Sequence, residues 1–275
     1  MGMSLGKRIA EARKARHLTQ EQLADRLNVS FQAVSIWERD ASLPDTAHLA
    51  SLAEALNVSL DSLLGPEIDR DWTLKSPNFS PEHMYTYLKA KAQAQGLCQT
   101  LAALPFMREK HAGQFRKGSV EQAPYAVHPL TLACHALAMG LAEDDVLAAL
   151  LLHDVVEDTG TKPEKLPVGE RVRQAVRLVS YNTYPGEKEA IKPLYYKNIG
   201  KDPLASLVKC IDRCNNLSCM ADGFSRRKMA EYVAQTERYV LPLLNAVKST
   251  PAWNNAAWLL RYQITALLEA FKRLL

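Results

Sequence analysis

The apolar run Ala148-Ala149-Leu150-Leu151-Leu152 leads without a polar interruption into His153-Asp154-Val155-Val156-Glu157-Asp158-Thr159-Gly160. Such a run, apolar on every side of a helix, demands a buried helix. The polar residues that follow are therefore carried into the interior. On a helix, Glu157 lies one turn beyond His153, and Asp158 one turn beyond Asp154. Imidazole and carboxylates then stand in two adjacent columns. Thr159-Gly160 has the form of a helix C-terminus, where the negative end of the helix dipole disfavours carboxylates. Something positive should offset them, and a divalent cation is the economical candidate. The plainer alternative, a solvated acidic helix end, conflicts with the apolar run before it.

The chain has 275 residues, enough for one or two domains with a real core. Its 47% hydrophobic and 23% charged content places it with globular proteins rather than disordered or fibrous ones. A formal net charge of +4 is too small to argue for nucleic acid by itself. Cys98, Cys134, Cys210, Cys214 and Cys219 are odd in number and contain no CxxC pair. They are expected to be reduced thiols of a cytoplasmic protein. No apolar run approaches the roughly 20 residues of a membrane span, and the N-terminus lacks a signal-peptide core. No membrane association is expected.

Residues 1–65 divide into five short helices. Leu5, Ile9, Ala12 and Leu18 mark an amphipathic first helix, with Lys7, Arg8, Arg13, Lys14 and Arg16 on its other faces. Thr19 and Gln22 have capping-box spacing for a second helix, Gln20 to Leu27. Asn28-Val29-Ser30 is a turn whose serine caps a third, Phe31 to Arg39. Pro44-Asp45 opens a fourth through Leu56. Asn57-Val58-Ser59 repeats the turn before a fifth that ends at Leu64-Gly65.

Leu18-Thr19-Gln20-Glu21-Gln22-Leu23-Ala24, Val29 to Glu38 and Leu43-Pro44-Asp45 together resemble the Cro/repressor type of helix-turn-helix domain. The resemblance implies that the third helix enters the major groove with Phe31, Gln32, Ser35 and Ile36 facing bases. Thr19 and Gln20 would hold a phosphate. Gln32 would read adenine and Phe31 a thymine methyl. A basic residue is common in that family where Ile36 stands, and glycine where Asp40 stands. Residues 1–65 carry seven Lys or Arg against eight Asp or Glu, so counterion release would contribute little. Binding to a DNA operator then calls for a dimer or remains weak. A protein-interaction module is the other reading of this fold.

Residues 66–80 mix charge, Pro, Asn and Ser without periodicity and form a linker. Residues 81–275 give a second all-α domain. Its expected helices are Met84 to Leu104, interrupted or bent at Gly96, then Leu130 to Met139, Glu143 to Glu157, Glu170 to Ser180, Glu187 to Ile199, Leu204 to Leu217, Lys228 to Leu244 and Trp253 to Leu274. Arg116 and Lys117, in a small basic cluster between Gly113 and Gly118, are suited to phosphates. Pro129 makes His128 a helix-start residue. Asp212 sits in an apolar helix with Asn216 one turn later; a structural pair or an ion pair with Arg213 is the alternative to a ligand role. His128, His153, Asp154 and Asp212 supply two nitrogen and two oxygen donors from three helices. Such a set suits Mn, Fe, Co or Zn. Glu157 and Asp158 are placed to orient or deprotonate a water.

Gly113 to Lys117, Tyr125 to Leu130, His153-Asp154 with Glu157-Asp158-Thr159, and Val208 to Asn216 resemble the HD hydrolase domain of the RelA/SpoT family, nearest its small stand-alone alarmone hydrolases. Tyr232 to Pro242 resembles the segment that closes that domain. The resemblance implies Mn²⁺-dependent removal of the 3′-pyrophosphate from the guanosine nucleotide (p)ppGpp, a stringent-response activity. It assigns His128, His153, Asp154 and Asp212 to the metal, and Glu157 and Asp158 to the water. It places Arg116 near the base, Lys117 at phosphate, and Asn216 near the ribose and metal. Ser218-Cys219 replaces the usual Arg-Thr, and the loop from Arg116 to His128 is slightly longer than usual. Both departures bear on substrate, so other phosphorylated nucleotides such as NADPH stay open. A transcription regulator that senses a nucleotide through its HD domain, or an antitoxin that destroys one, is the alternative function. The broad apolar surface of Trp253 to Leu274 is core or, in a second reading, a homodimer interface.

Overall fold

Helix α1 (Leu5–Ala15) opens the described part of the chain, which in this computed structural model comprises residues 4–58, 63, 79–115 and 124–275. The chain divides into two units, Met1–Ser76 and Pro77–Leu275. In the first, α1 is followed by α2 (Gln20–Leu27), α3 (Phe31–Glu38) and α4 (Thr46–Leu56). Thr19 and Gln22 form the capping box the spacing predicts. Ser30 caps α3, and Asp45, of the Pro44-Asp45 pair expected to open the fourth helix, caps α4. Asn28 and Asn57 end their helices in the left-handed conformation, which asparagine tolerates. Ile9, Leu23, Val34, Leu52, Leu56 and Leu63 make the buried centre. Apart from Leu63 the expected fifth helix lies outside the described residues, as does most of the expected linker.

One ion pair ties this unit across its sequence. The Arg13 guanidinium meets Glu38 through Nε at 2.6 Å and Nη2 at 3.0 Å, and the Gln20 amide donates to the same carboxylate at 2.7 Å. Both charged side chains are mostly buried. Burial opposes ionisation of Glu38, but Arg13 and Gln20 outweigh it and hold the carboxyl below its ordinary value.

The second unit is also helical: α5 (Pro81–Gln95), α6 (Cys98–Lys110), α7 (Val127–Ala138), α8 (Asp144–Leu152), α9 (Val155–Thr159), α10 (Glu170–Val179), α11 (Lys188–Ile199), α12 (Pro203–Cys219), α13 (Arg226–Gln235), α14 (Leu244–Lys248) and α15 (Asn254–Leu274). Among the described residues the only β contact is an isolated bridge between Phe115 and Pro124. Every residue of α8 from Val146 to Leu152 is buried. α6, α7, α10 and α12 contact it, so α8 is the axis of the unit.

Three expected helices are broken. Gly96 is left-handed and separates α5 from α6 completely. The expected helix from Glu143 to Glu157 stops at Leu152, because His153 Nδ1 takes the Leu150 carbonyl at 2.8 Å. That carbonyl would otherwise accept the Asp154 N–H in a continuing helix. The expected helix from Lys228 to Leu244 ends at Gln235 and passes into a wide π turn, Thr236–Val240, before a tight turn at Leu241–Leu243. Pro242 has no N–H for the carbonyl one turn earlier, and such wide turns restore the backbone bonds.

A Glu38 value held below that of the unfolded chain contributes stability that is complete above the ordinary carboxylate range and fades as pH falls through the folded value. Glu38→Gln is expected to cost about 2 kcal/mol at pH 7. The difference should shrink as pH falls below the ordinary carboxylate range. Hydrogen-exchange protection of the α1–α4 amides checks this; a cost that persists in acid would exclude the ionised carboxylate as its source.

Candidate active site

Four donor side chains converge where α7, α8 and α12 meet. His128 stands in the first turn of α7, next to Pro129. His153 and Asp154 occupy the break after α8, and Asp212 lies mid-way along α12. His153 Nε2 is 2.9 Å from Asp154 Oδ2 and 3.9 Å from Asp212 Oδ1. His128 Nε2 is 3.3 Å from Asp212 Oδ1 and 3.6 Å from Asp154 Oδ2. Both rings are turned inward by a bond on their far side. His153 Nδ1 donates to the Leu150 carbonyl, and His128 Nδ1 pairs with Asn215 Oδ1 at 2.8 Å. An imidazole whose Nδ1 proton is so engaged presents the Nε2 lone pair to the centre.

The donor set fits a divalent cation. His153 Nε2 is buried and makes no well-directed hydrogen bond. Ligand atoms of His128, His153 and Asp154 all lie within 4.8 Å of one another. Burial disfavours the charged imidazole, yet Asp154 and Asp212 push His153 up to about 9. Burial likewise opposes ionisation of Asp154, but His153 and His128 hold it well below the usual carboxylate range. Carboxylates that draw a buried imidazole toward its cationic form mark a place short of positive charge.

This cluster opens into a cavity of about 680 Å³. Glu157 and Asp158, one helical turn on, both line it. Glu157 Oε2 accepts the Tyr181 N–H at 2.9 Å, and its Oε1 faces Lys188 Nζ at 3.2 Å. Asp158 is exposed, and partial desolvation is the main cause that raises its carboxyl above the ordinary value. Lys188, Lys192, Lys209 and Arg213 add positive charge to the lining. Asn216 donates to Asp212 Oδ1 at 2.5 Å, on the face its spacing predicts. Arg116 and Lys117 lie outside the described residues.

Asp212 pairs with Lys209 at 3.0 Å, not with Arg213 as the sequence alternative had it. Arg213 is buried and bonds Thr236 Oγ1, Tyr196 OH and Gln235 Oε1, each at 2.9 Å, with its guanidinium over the Tyr232 ring. It is a strut between α12, α11 and the π turn. Residues that sequence reasoning passed over are Asn215, which aims His128; Lys209, which neutralises Asp212; Tyr181 and Lys188, which hold Glu157; and Tyr125, whose hydroxyl donates to Asp154 Oδ2 at 2.5 Å. The Lys209–Asp212 spacing of three on a helix was a usable signal; the others join positions far apart in the chain.

In the first unit, Phe31 and Gln32 are exposed on α3, while Ser35 and Ile36 are half-buried. Thr19 is exposed with its hydroxyl capping α2. The Gln20 side chain is engaged by Glu38.

An all-α pocket with His-Asp donors at a helix break defines an HD-type phosphohydrolase. A helix-turn-helix family profile matches residues 9–63. The guanosine-3′,5′-bis(diphosphate) 3′-pyrophosphohydrolase MESH1 of Xenopus tropicalis is 36% identical over 141 residues, covering 48% of this chain and 77% of that protein. The guanosine-3′,5′-bis(diphosphate) 3′-pyrophosphohydrolase of Aquifex aeolicus (strain VF5) is 33% identical over 146 residues, 51% of this chain. The chain spans 20% of that longer relative. A solved structure, described as a metazoan orthologue of SpoT that hydrolyses ppGpp and plays a role in starvation responses, matches with a TM-score of 0.51 at 25% identity. The match covers 62% of this chain and 94% of that one. The chain belongs to the family of MESH1-type 3′-pyrophosphohydrolases, with a helix-turn-helix unit ahead of the shared region.

Arg213→Met removes the donors on which Tyr196, Gln235 and Thr236 converge. It is expected to cost about 2–3 kcal/mol, the scale of losing hydrogen bonds to a buried charge. Hydrogen-exchange protection of α12 and α13 reads the loss; wild-type protection would show that the strut carries no stability.

Proposed function

We propose that this chain is a divalent-metal-dependent guanosine-3′,5′-bis(diphosphate) 3′-pyrophosphohydrolase acting in the cytoplasm during the stringent response, and that its N-terminal unit binds a DNA operator. The observation that carries the enzymatic reading is the convergence of His128, His153, Asp154 and Asp212, with buried His153 Nε2 beside Asp154 but making no well-directed hydrogen bond, at a cavity whose lining bears four cations. Family membership supplies the substrate class.

His128, His153, Asp154 and Asp212 would hold the ion, and Mn²⁺ suits two imidazoles and two carboxylates. A bound divalent ion supplies Lewis acidity toward water and phosphate. In the reaction, a water oxygen bonds to the phosphorus attached to the 3′-oxygen, and the bond from that phosphorus to the 3′-oxygen breaks. Pyrophosphate leaves, and the 3′-oxygen takes up a proton. Asp158 is the better placed of the two acids to move the water proton. Its carboxyl is raised by partial desolvation toward the working pH. Glu157 has both oxygens engaged, and serves as the orienting partner. Asn216 fixes Asp212 and borders the ribose side. Lys188, Lys192, Lys209 and Arg213 favour a polyanionic substrate. Arg116 near the base and Lys117 at phosphate complete the assignment carried over from the family motif.

The DNA reading rests on exposed Phe31 and Gln32 at the start of α3, with Ser35 and Ile36 behind them and Thr19 and Gln20 at the start of α2 for phosphate. Residues 1–65 are nearly neutral, so a homodimer engaging two half-sites is the form in which this unit binds usefully.

Asp154→Asn should lower pyrophosphate release from ppGpp in Mn²⁺ by about 10³-fold, the scale of several kcal/mol of lost electrostatic stabilisation. Undiminished release by the folded variant would sink the enzymatic reading. Gln32→Ala should leave that release unchanged and weaken binding to DNA selected from a random pool by about tenfold; equal binding would remove Gln32 from the recognition surface.

A further inference from the structure

Tyr125 lies in the motif Tyr125 to Leu130 and lines the pocket, but none of the roles assigned above falls to it. Its hydroxyl lies 2.5 Å from Asp154 Oδ2 and donates to it, across 29 positions of sequence. The Asp158 carboxylate is its second acidic neighbour. The phenol therefore stands between a metal-type donor and the acid assigned to the water. One proton cannot serve two acceptors fully, and the hydroxyl bonds Asp154.

The ring is also held from behind. His111, at the end of α6, stacks on Tyr125 with ring centroids 4.5 Å apart and planes at 24°. His111 is buried, and its Nδ1 pairs with Gln114 Oε1 at 2.7 Å. The Gln114 amide reaches the Asp158 carbonyl at 3.4 Å, and the Gln114 carbonyl accepts the Tyr125 N–H at 2.9 Å. The contacts run from His111 to Gln114 to Tyr125 and reach both ends of the Asp154–Asp158 turn. Such an arrangement fixes a hydroxyl in space without relying on the pocket contents.

We infer that Tyr125 is a positioning residue of the metal centre: its hydroxyl, braced by the His111 ring and Gln114, holds Asp154 Oδ2 in the orientation a divalent cation requires. The inference rests on the reading of His128, His153, Asp154 and Asp212 as the metal site. An aspartate that donates one oxygen to a cation keeps a lone pair on that oxygen for a neighbouring hydroxyl, so both contacts coexist. Partners of this kind raise metal affinity by restricting the ligand to one orientation, typically about 10–100-fold.

The test compares Mn²⁺ dissociation constants of the full-length protein, Tyr125→Phe, Tyr125→Leu and Asp154→Asn, measured from free Mn²⁺ by electron paramagnetic resonance. Tyr125→Phe retains the ring that stacks on His111 and loses only the hydroxyl. It should weaken Mn²⁺ binding about tenfold, and Tyr125→Leu should add little further loss. Melting of the metal-free proteins controls for folding, and the affinity change in Tyr125→Phe should exceed anything its melting temperature accounts for. Wild-type affinity in Tyr125→Phe with a loss confined to Tyr125→Leu would assign the residue to packing and overturn the inference. Wild-type affinity with a lowered kcat would place the hydroxyl on the water side, through Asp158, and also overturn it. If Asp154→Asn binds Mn²⁺ as the unmodified chain does, or the unmodified chain binds none, the metal site itself is misplaced and both readings fall.

Discussion

The bond from His153 Nδ1 to the Leu150 carbonyl governs the second unit. An unbroken helix would have kept that carbonyl for its own backbone and carried Asp154 onward in the helical register. Giving it to the imidazole does three things at once. It ends α8 while its last apolar residue is still buried, it turns Nε2 toward α7 and α12, and it frees Asp154 to lie against the same centre. α9 then restarts at Val155, and Glu157 and Asp158 come from its single turn. The left-handed Gly160 that ends it is the stop legible in the sequence. A helix buried on all sides is needed for this, because only a rigid axis can aim two side chains with the accuracy that a ligand shell demands.

Around that centre the charges are arranged in pairs, and the pairing explains why the pocket suits an anion. Lys209 answers Asp212, and Lys188 answers Glu157. Arg213 has no carboxylate among its hydrogen-bond partners, only hydroxyl and amide oxygens. The His128–His153–Asp154–Asp212 group instead holds more negative than positive charge unless an imidazole is protonated, which is why His153 is drawn upward. A site with an electron-rich floor and a cationic wall is polarised across its width. A cation is favoured at one side and phosphates at the other.

How far the sequence revealed this depended on the distance between partners. His153-Asp154 and Glu157-Asp158 come as adjacent pairs with helical spacing behind an apolar run, so their convergence was legible. Asp212 and Asn216 were legible for the same reason, being one turn apart on a helix. Asn215 and Tyr125 were not: their bonds to His128 and Asp154 cross long stretches of chain, and no period marks them. Helix ends were misjudged where a side chain or a missing N–H intervened. His153 took a backbone acceptor that the apolar pattern had assigned to the helix, and Pro242 withheld a donor that an uninterrupted periodicity assumed. An ion pair between Asp212 and Arg213 was the alternative to a ligand role for Asp212. On a helix consecutive side chains point about 100° apart, and Lys209, three positions back, is the true neighbour.

Asp40, which stands where the resemblance to helix-turn-helix domains leads one to expect glycine, is accommodated by its own carboxylate. Asp40 sits at φ 57°, in the left-handed region where glycine is at ease. Its carboxylate recovers part of that strain by accepting the Gly6 N–H at 2.8 Å and the Ser4 hydroxyl. Those bonds satisfy donors at the start of α1, which has no cap from its own N-cap side chain. They also require the start of α1 to lie against the end of α3. A Cβ on Gly6 would fall 2.3 Å from the Trp37 carbonyl, so the close approach of α1 to the end of α3 needs a glycine there. The absent side chain at Gly6 leaves the space in which the Asp40 carboxylate caps α1 across this contact.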